Sequence, residues 1–320
     1  MGLGNSERQE VNGETNICRL CPRGCGVRRA ETTGFCGATD ELEVSSVCVH
    51  RGEEPPLNPI VNVFFSHCNL QCIYCQNWQI SGPKTVGGEC RTESVESLAD
   101  RIGQLLPSID RSESCGETPL LGLVTAAHYA DRIPKLIEAL RQRGISPTVV
   151  YNSGGYESVE TLSSLEGLVD VYLPDFKYMD GALAARYSHA ADYPEVATAA
   201  LEEMKRQVGG GLKVDADGRA YRGIIVRHLV LPGHSDNSLA VLERLADLFT
   251  PFTLRLSLMA QYYPPRQGLP EPLDRTLTAE EYGVVVDRAS ELGFTNGWVQ
   301  ELNAQDNYRP DFNNTDNPFA

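Results

Sequence analysis

Several things are missing from this sequence, and each absence narrows the reading. No apolar run approaches the roughly 20 residues needed to cross a bilayer, so no membrane-spanning helix is expected. Positive charge is scarce: 28 Lys and Arg stand against 43 Asp and Glu, a net charge of −15 with no basic run. That balance argues against nucleic acid as a partner. The opening Met-Gly-Leu-Gly-Asn-Ser-Glu-Arg-Gln-Glu lacks the charged-then-apolar pattern of a secretory signal. No long low-complexity segment and no internal repeat is visible, which excludes a solenoid. What remains is a 320-residue chain with 41% hydrophobic and 22% charged residues, the profile of a globular protein. Its acidity is spread along the chain and reads as a solvated surface.

Cysteine is abundant instead. There are ten, and seven of them (18, 21, 25, 36, 68, 72 and 75) fall at metal-like spacings. Without a secretory route, such clusters read as metal ligands rather than disulfides, and the expected compartment is a reducing cytoplasm. Cys68-Asn-Leu-Gln-Cys72-Ile-Tyr-Cys75 is spaced C-x3-C-x2-C directly after the apolar run 60–65. Three thiolates on one tight loop can hold three irons of a 4Fe-4S cluster and leave the fourth open. A zinc knuckle fits less well, because zinc sites favour two-plus-two C-x2-C pairs. Upstream, Cys18, Cys21, Cys25 and Cys36 form C-x2-C-x3-C-x10-C, with Gly and Pro beside the thiols. Four thiolates would close a zinc site or a second iron–sulfur cluster, and the spacing does not separate these from reduced structural cysteines. Cys48 sits in an apolar strand pattern as a small hydrophobe. Cys90 and Cys115 match no ligand motif.

The hydrophobic pattern predicts strands over 41–49, 60–65, 120–125, 148–151, 169–173, 224–231 and 254–260. Helical patterns fall over 94–106, 133–143, 158–165, 195–208, 238–248 and 280–292, with Ser235-Asp-Asn and Thr278 as N-cap signals for the last two. From residue 60, six βα units argue an α/β fold with a parallel sheet buried on both faces. Six units are too few for a closed eight-fold barrel and suit a partial (β/α)6 barrel, in which functional residues gather at the C-terminal ends of strands. The expected organisation is a small N-terminal Cys-rich segment and linker (1–59), the partial barrel (60–300) and a polar tail (301–320). Residues 1–16 read as frayed, and 82–91 and 110–119 as loop insertions. Residues 209–222 read as a hairpin or flexible excursion, and the tail as a lid or a trailing end.

Pieces along nearly the whole chain resemble a known family. They are Cys18-Arg-Leu-Cys-Pro-Arg-Gly-Cys-Gly-Val, Gly34-Phe-Cys-Gly, Gly52-Glu-Glu-Pro-Pro, Ser66-His-Cys-Asn-Leu-Gln-Cys-Ile-Tyr-Cys-Gln-Asn77, Val124-Thr-Ala-Ala-His128, Leu173-Pro-Asp-Phe-Lys-Tyr178, Val226-Arg-His-Leu-Val-Leu-Pro-Gly233 and Asn307-Tyr-Arg-Pro-Asp-Phe312. Together they look like the radical S-adenosylmethionine (SAM) relatives of the pyruvate formate-lyase activating enzyme, in the branch labelled PflX-like. The resemblance implies that Cys68, Cys72 and Cys75 ligate a 4Fe-4S cluster whose open iron takes SAM, with Tyr74 near the adenine. The family's Gly-Gly-Glu is replaced here by Thr125-Ala-Ala-His128, so Thr125 or its backbone would serve the SAM amino group, and His128 would face substrate or simply fill the core. Asp175 and Lys177 match an Asp-Leu-Lys piece with Phe176 in the middle, and residues two apart in a strand share a face. They would meet the ribose hydroxyls and the SAM carboxylate. Asn152 and Ser153 would add polar contacts, and Gln261 stands where the activating enzymes place a His. Arg227 and His228 point opposite ways, so only one faces the cavity.

The leading function implied is an oxidoreductase-type radical SAM enzyme that cleaves SAM to a 5'-deoxyadenosyl radical and takes a hydrogen atom from a substrate. A flavodoxin- or ferredoxin-like partner would supply the electron. The substrate would be a protein, as for a glycyl radical enzyme activase, or else a small molecule or another side chain. The alternative of another class is a non-catalytic iron–sulfur or zinc protein for electron transfer or scaffolding.

Overall fold

From residue 60 onward apolar strands alternate with amphipathic helices, and the strands pair in the order in which the chain makes them. A computed structural model describes residues 17–86, 90–109, 118–306 and 309–319. Residues 1–16, Cys115, Asn307 and Tyr308, to which the sequence reading also gave roles, lie outside the described residues. The strands are β1 (Leu42–His50), β2 (Ile60–Phe65), β3 (Arg91–Glu93), β4 (Leu120–Val124), β5 (Thr148–Ser153), β6 (Val171–Pro174), β7 (Leu212–Val214), β8 (Ala220–Leu229), β9 (Arg255–Met259) and β10 (Gly297–Val299). The helices are α1 (Trp78–Ser81), α2 (Val95–Ile109), α3 (Ile133–Gln142), α4 (Val159–Ser164), α5 (Gly181–Ser188), α6 (Tyr193–Val208), α7 (Ser235–Leu248) and α8 (Ala279–Glu291).

The fold is mixed α/β with a mostly parallel sheet. Strands β2, β4, β5, β6, β8 and β9 are neighbours in that order, each pair parallel. Their residues are buried on both faces, as Ile-Val-Asn-Val-Phe-Phe of β2 and Leu-Leu-Gly-Leu-Val of β4 illustrate, which is why they read as continuous apolar runs. The period of two divides them cleanly. Val61, Val63, Leu121, Leu123, Tyr151, Tyr172, Val226 and Leu258 join the large core that includes the helix residues Leu98, Leu136, Leu201, Leu242 and Val285. The opposite face carries Ile60, Leu120, Val150, Val171, Leu173 and Ile225, a smaller apolar floor. Above that floor the same face lines a cavity.

Short edge elements extend this sheet. β1 pairs antiparallel with β2, β3 with β1, and β10 joins β9 in parallel. β7 and β8 close a hairpin whose turn is held by Asp215, which accepts from the N–H groups of Asp217 and Arg219. Helix α5 was not expected. Its cap is legible in hindsight, since Asp180 accepts from the N–H groups of Ala182 and Leu183. Helix α7 starts at Ser235, earlier than expected, with His234 as its cap. Asn237, expected among the capping residues, instead accepts from Met179 and Asp180 N–H and donates to Lys177 O. It ties the loop after β6 to α7. Thr278 caps α8 with a full capping box to Glu281.

The tail folds back. Phe312 is fully buried against Phe64, its N–H donates to Gln79, and Ser46 donates to Thr315 O. Among the described residues no helix is long and apolar enough to cross a membrane.

Candidate active site

The loop after β2 carries the three clustered thiols, at the C-terminal end of the strand. Left-handed backbone at His67 and Gln71 turns the chain sharply. The bends are held from outside: His67 bonds to Gly82 O and Glu43, Asn69 donates to Tyr156 O, and Ile73 N–H donates to Tyr187 O. Leu70 N–H reaches Cys68 Sγ at 3.3 Å and the Ser188 hydroxyl reaches Cys72 Sγ at 2.9 Å. Ser188 is itself the end of a buried chain that runs through Tyr178 to Tyr74. Burial, and then the neighbouring thiols, push the Cys68 thiol up to about 12, and Cys75 rises for the same reasons. Bare, the Cys68 thiol keeps its proton, and a bound cation would be what strips it.

Cys68, Cys72 and Cys75 line one cavity of about 210 Å³ together with Tyr74, Thr125, Asn152, Ser153, Asp175, Lys177 and Gln261. Every residue singled out from the sequence for the cluster loop and its small-molecule partner therefore meets in one place. Thr125 adopts left-handed backbone, φ 59°, and its N–H donates to Asn152 O. Lys177 Nζ contacts Asp175. Burial works against the Lys177 charge, but Asp175 and then Cys72 outweigh it, so its ammonium is held above the usual range. Gly155 permits this junction: a Cβ there would lie 2.2 Å from Asp175 O. Gln261 is linked to Gln76 of the thiol loop and to Gln300 beside β10.

The cavity contains a second wall that sequence reasoning did not assign. Glu53 and Glu54, from Gly52-Glu-Glu-Pro-Pro, face Arg227 of β8. Arg227 grips Glu54 through two nitrogens and reaches Glu53 at 3.3 Å. Of the adjacent pair on β8, Arg227 faces the cavity with Leu229, while His228 turns to the helices and bonds to Phe176 O and Ser238 of α7. His50 also lines this wall, and burial, then Arg227, push it down to about 4. Two acidic residues in an otherwise Pro-rich connection were the available signal. His128 does not reach this cavity. It is buried beneath Ser66 O, and burial holds it down to about 3.

Cys18, Cys21, Cys25 and Cys36 line a separate small cavity with His128. Burial first, and then the charges of the three other thiols, push Cys21 up to about 12. Cys48 is buried in the small core with Phe64 and Phe312, and Cys90 lies 3.1 Å from the Ser66 hydroxyl. Among the described residues, no three His, Cys, Asp or Glu side chains converge as they would around a single metal ion.

No family model matches the chain. Among solved structures, native anSMEcpe with bound AdoMet matches at a TM-score of 0.44 and 14% identity, over 71% of this chain and 57% of that one. HydG, a maturase of the [FeFe]-hydrogenase, also matches at 0.44, with 13% identity over 75% and 51% of the two chains. Methylornithine synthase (PylB) matches at 0.42, with 11% identity over 71% and 60%. The chain thus spans little more than half of each of these proteins. Uncharacterized protein MJ0808 of Methanocaldococcus jannaschii is 30% identical over 80 residues, 20% of this chain and 24% of that one. Uncharacterized protein MJ0674 of the same organism is 30% identical over 285 residues, covering 86% of this chain and 73% of that protein. The chain belongs to the family of MJ0674.

Proposed function

We propose that this chain is a radical SAM enzyme built on a partial (β/α)6 barrel. Cys68, Cys72 and Cys75 would hold a 4Fe-4S cluster, and SAM would take its open iron. The observation that supports this reading most is the convergence of the three thiols with Thr125, Asn152, Ser153, Asp175, Lys177 and Gln261 in one cavity at the C-terminal ends of parallel strands. The donor set fits the group: three soft thiolates for iron, with N–H and O–H groups directed at two of the sulfurs. When bound, cluster and SAM supply the chemistry, a one-electron reductive cleavage and abstraction of a hydrogen atom from substrate.

The protein's own residues orient and enclose. Asp175 accepts hydrogen bonds from sugar hydroxyls, and Lys177 offers a positive charge to a carboxylate. The Tyr74–Tyr178–Ser188 chain fixes the position of Cys72. Pro310 and Phe319 of the folded-back tail line the cavity and exclude water. A protein segment, as in an activase, has to displace the tail, whereas a small molecule does not. The tail therefore favours a small-molecule substrate as the second reading. The electron comes from a flavodoxin- or ferredoxin-like donor in a reducing cytoplasm. The test is anaerobic reconstitution with iron and sulfide, then SAM and dithionite. Formation of 5'-deoxyadenosine, lost in Cys72→Ala, is expected. No product and no SAM-dependent change in the cluster's EPR spectrum would refute the reading.

A further inference from the structure

The upstream cysteines are built into a site of their own. Cys18 N–H donates to Val27 O, Gly26 N–H to Cys18 O, and Gly24 N–H to Cys21 O, which wraps residues 18–27 into a knuckle. Gly24 and Gly26 take left-handed backbone, φ 51° and 65°, which a side chain would resist. The returning segment brings Cys36, and Phe35 N–H donates to Cys25 Sγ at 3.4 Å. Gly34 passes so close that a Cβ would stand 2.8 Å from that sulfur. The four thiols line one cavity together with Arg23 and Arg29. His128, 1% exposed, lines it too, and its Nδ1 has no hydrogen-bond partner. Four thiols, two cations and an orphaned ring nitrogen make a pocket suited to an electron-rich, sulfur-bound group.

This pocket is fastened to the loop of the first thiol set. Arg23 donates to Asn69 O at 2.8 Å, and Gln71 donates to Phe35 O at 2.6 Å. Both loop partners lie between Cys68 and Cys72. We propose that Cys18, Cys21, Cys25 and Cys36 hold a second iron–sulfur cluster, docked on the loop that carries the first and serving as its point of electron entry. Four thiolates saturate a cubane or a zinc ion alike, and the two hydrogen bonds to the loop between Cys68 and Cys72 favour the redox-active group, because they fasten the site directly to the first thiol set. A one-electron donor protein of the ferredoxin or flavodoxin class is oxidised by one electron, the upstream cluster takes it, and the cluster at Cys68–Cys75 receives it. The role rests on the radical SAM reading, but the site does not.

The experiment begins with wild-type protein purified and reconstituted without oxygen, with iron, sulfide and zinc counted per chain and EPR spectra recorded after reduction. About eight irons and eight sulfides are expected for two cubanes, falling to about four in Cys18→Ala/Cys21→Ala and in Cys72→Ala alike. About four irons in the wild type, with or without zinc, overturns the site whatever the variants do. For the role, the upstream double variant is expected to retain dithionite-driven SAM cleavage within about twofold and to lose ferredoxin-driven cleavage by about tenfold or more. Ferredoxin-driven cleavage at the wild-type rate overturns the relay. Eight irons with no 5'-deoxyadenosine from the wild type refutes the radical SAM reading and the relay with it, while the site stands.

Discussion

Glu157 should make the protein less stable as pH rises through neutrality. It follows Gly154-Gly155-Tyr156 at the end of β5, is 2% exposed, and its Oε2 has no partner. Burial pushes its carboxyl up from 4.5 to about 8; the Ser153 hydrogen bond and Lys177 pull it down, and Asp175 pushes it up. The folded chain therefore keeps a proton that the unfolded chain releases above pH 4.5. The stabilisation is complete below that value and is lost as pH climbs through about 8. At about 1.4 kcal/mol per pH unit, the whole interval amounts to about 5 kcal/mol, of which about 2 falls between pH 6 and 8. Glu157→Gln keeps the shape and removes the titration. Urea unfolding of the metal-free protein at pH 6, 7 and 8 should show the variant gaining about 2 kcal/mol on wild type across that range. A difference that stays constant, or that shrinks with pH, would refute the argument, because every other titrating group is common to both proteins.

Arg227→Met leaves Glu53 and Glu54 facing each other in a low-dielectric wall and should cost about 3–5 kcal/mol in the same assay. Adding Glu54→Gln should restore part of that loss. Thr278→Ala removes the capping box of α8 and should cost about 1 kcal/mol, seen as a small drop in Tm. Ser188→Ala removes the hydroxyl on Cys72 Sγ and should shift the reduction potential of a cluster at Cys68, Cys72 and Cys75 to more negative values in a redox titration, with SAM-free iron content unchanged. Phe312→Ala should release the tail first, so limited proteolysis should trim it sooner than in wild type while the far-UV circular dichroism holds.

The parallel sheet was legible because its strands are buried on both faces and carry almost nothing but apolar residues. The convergence of Asp175 and Lys177 was legible because residues two apart share a face. Where the outcome depended on contacts distant in sequence, the pattern fell silent. Arg227 and His228 alternate, and only the register of β8 against β6 and β9 decides that Arg227 looks inward. Glu53 and Glu54 meet it across more than 170 positions of chain. Helix α5 has only eight residues, too short for its buried Leu183, Ala184 and Tyr187 to show a stripe, although Asp180 announced its start. Three-residue strands such as β3 and β10 have no period to read, and Phe312 is one buried ring in a polar tail.

The charges around the cavity support a positively charged occupant. Three carboxylates line it, Glu53, Glu54 and Asp175, against two cations, Arg227 and Lys177. Arg227 closes on Glu54 through two nitrogens, and Lys177 closes on Asp175. His50 adds no charge near neutrality, since burial and Arg227 hold it down to about 4, and Glu157 behind the wall keeps its proton until about pH 8. Glu53 is left with a single contact at 3.3 Å, so the unbalanced negative charge sits there. In a site screened from water an unbalanced charge is costly unless a ligand compensates it. A sulfonium supplies one positive charge beyond its amino acid's own balanced pair, which is the charge this wall lacks. A neutral cofactor would leave Glu53 uncompensated, so Glu53→Gln should weaken SAM binding while leaving binding of the uncharged thioether S-adenosylhomocysteine nearly unchanged, measured by calorimetry on the reconstituted protein.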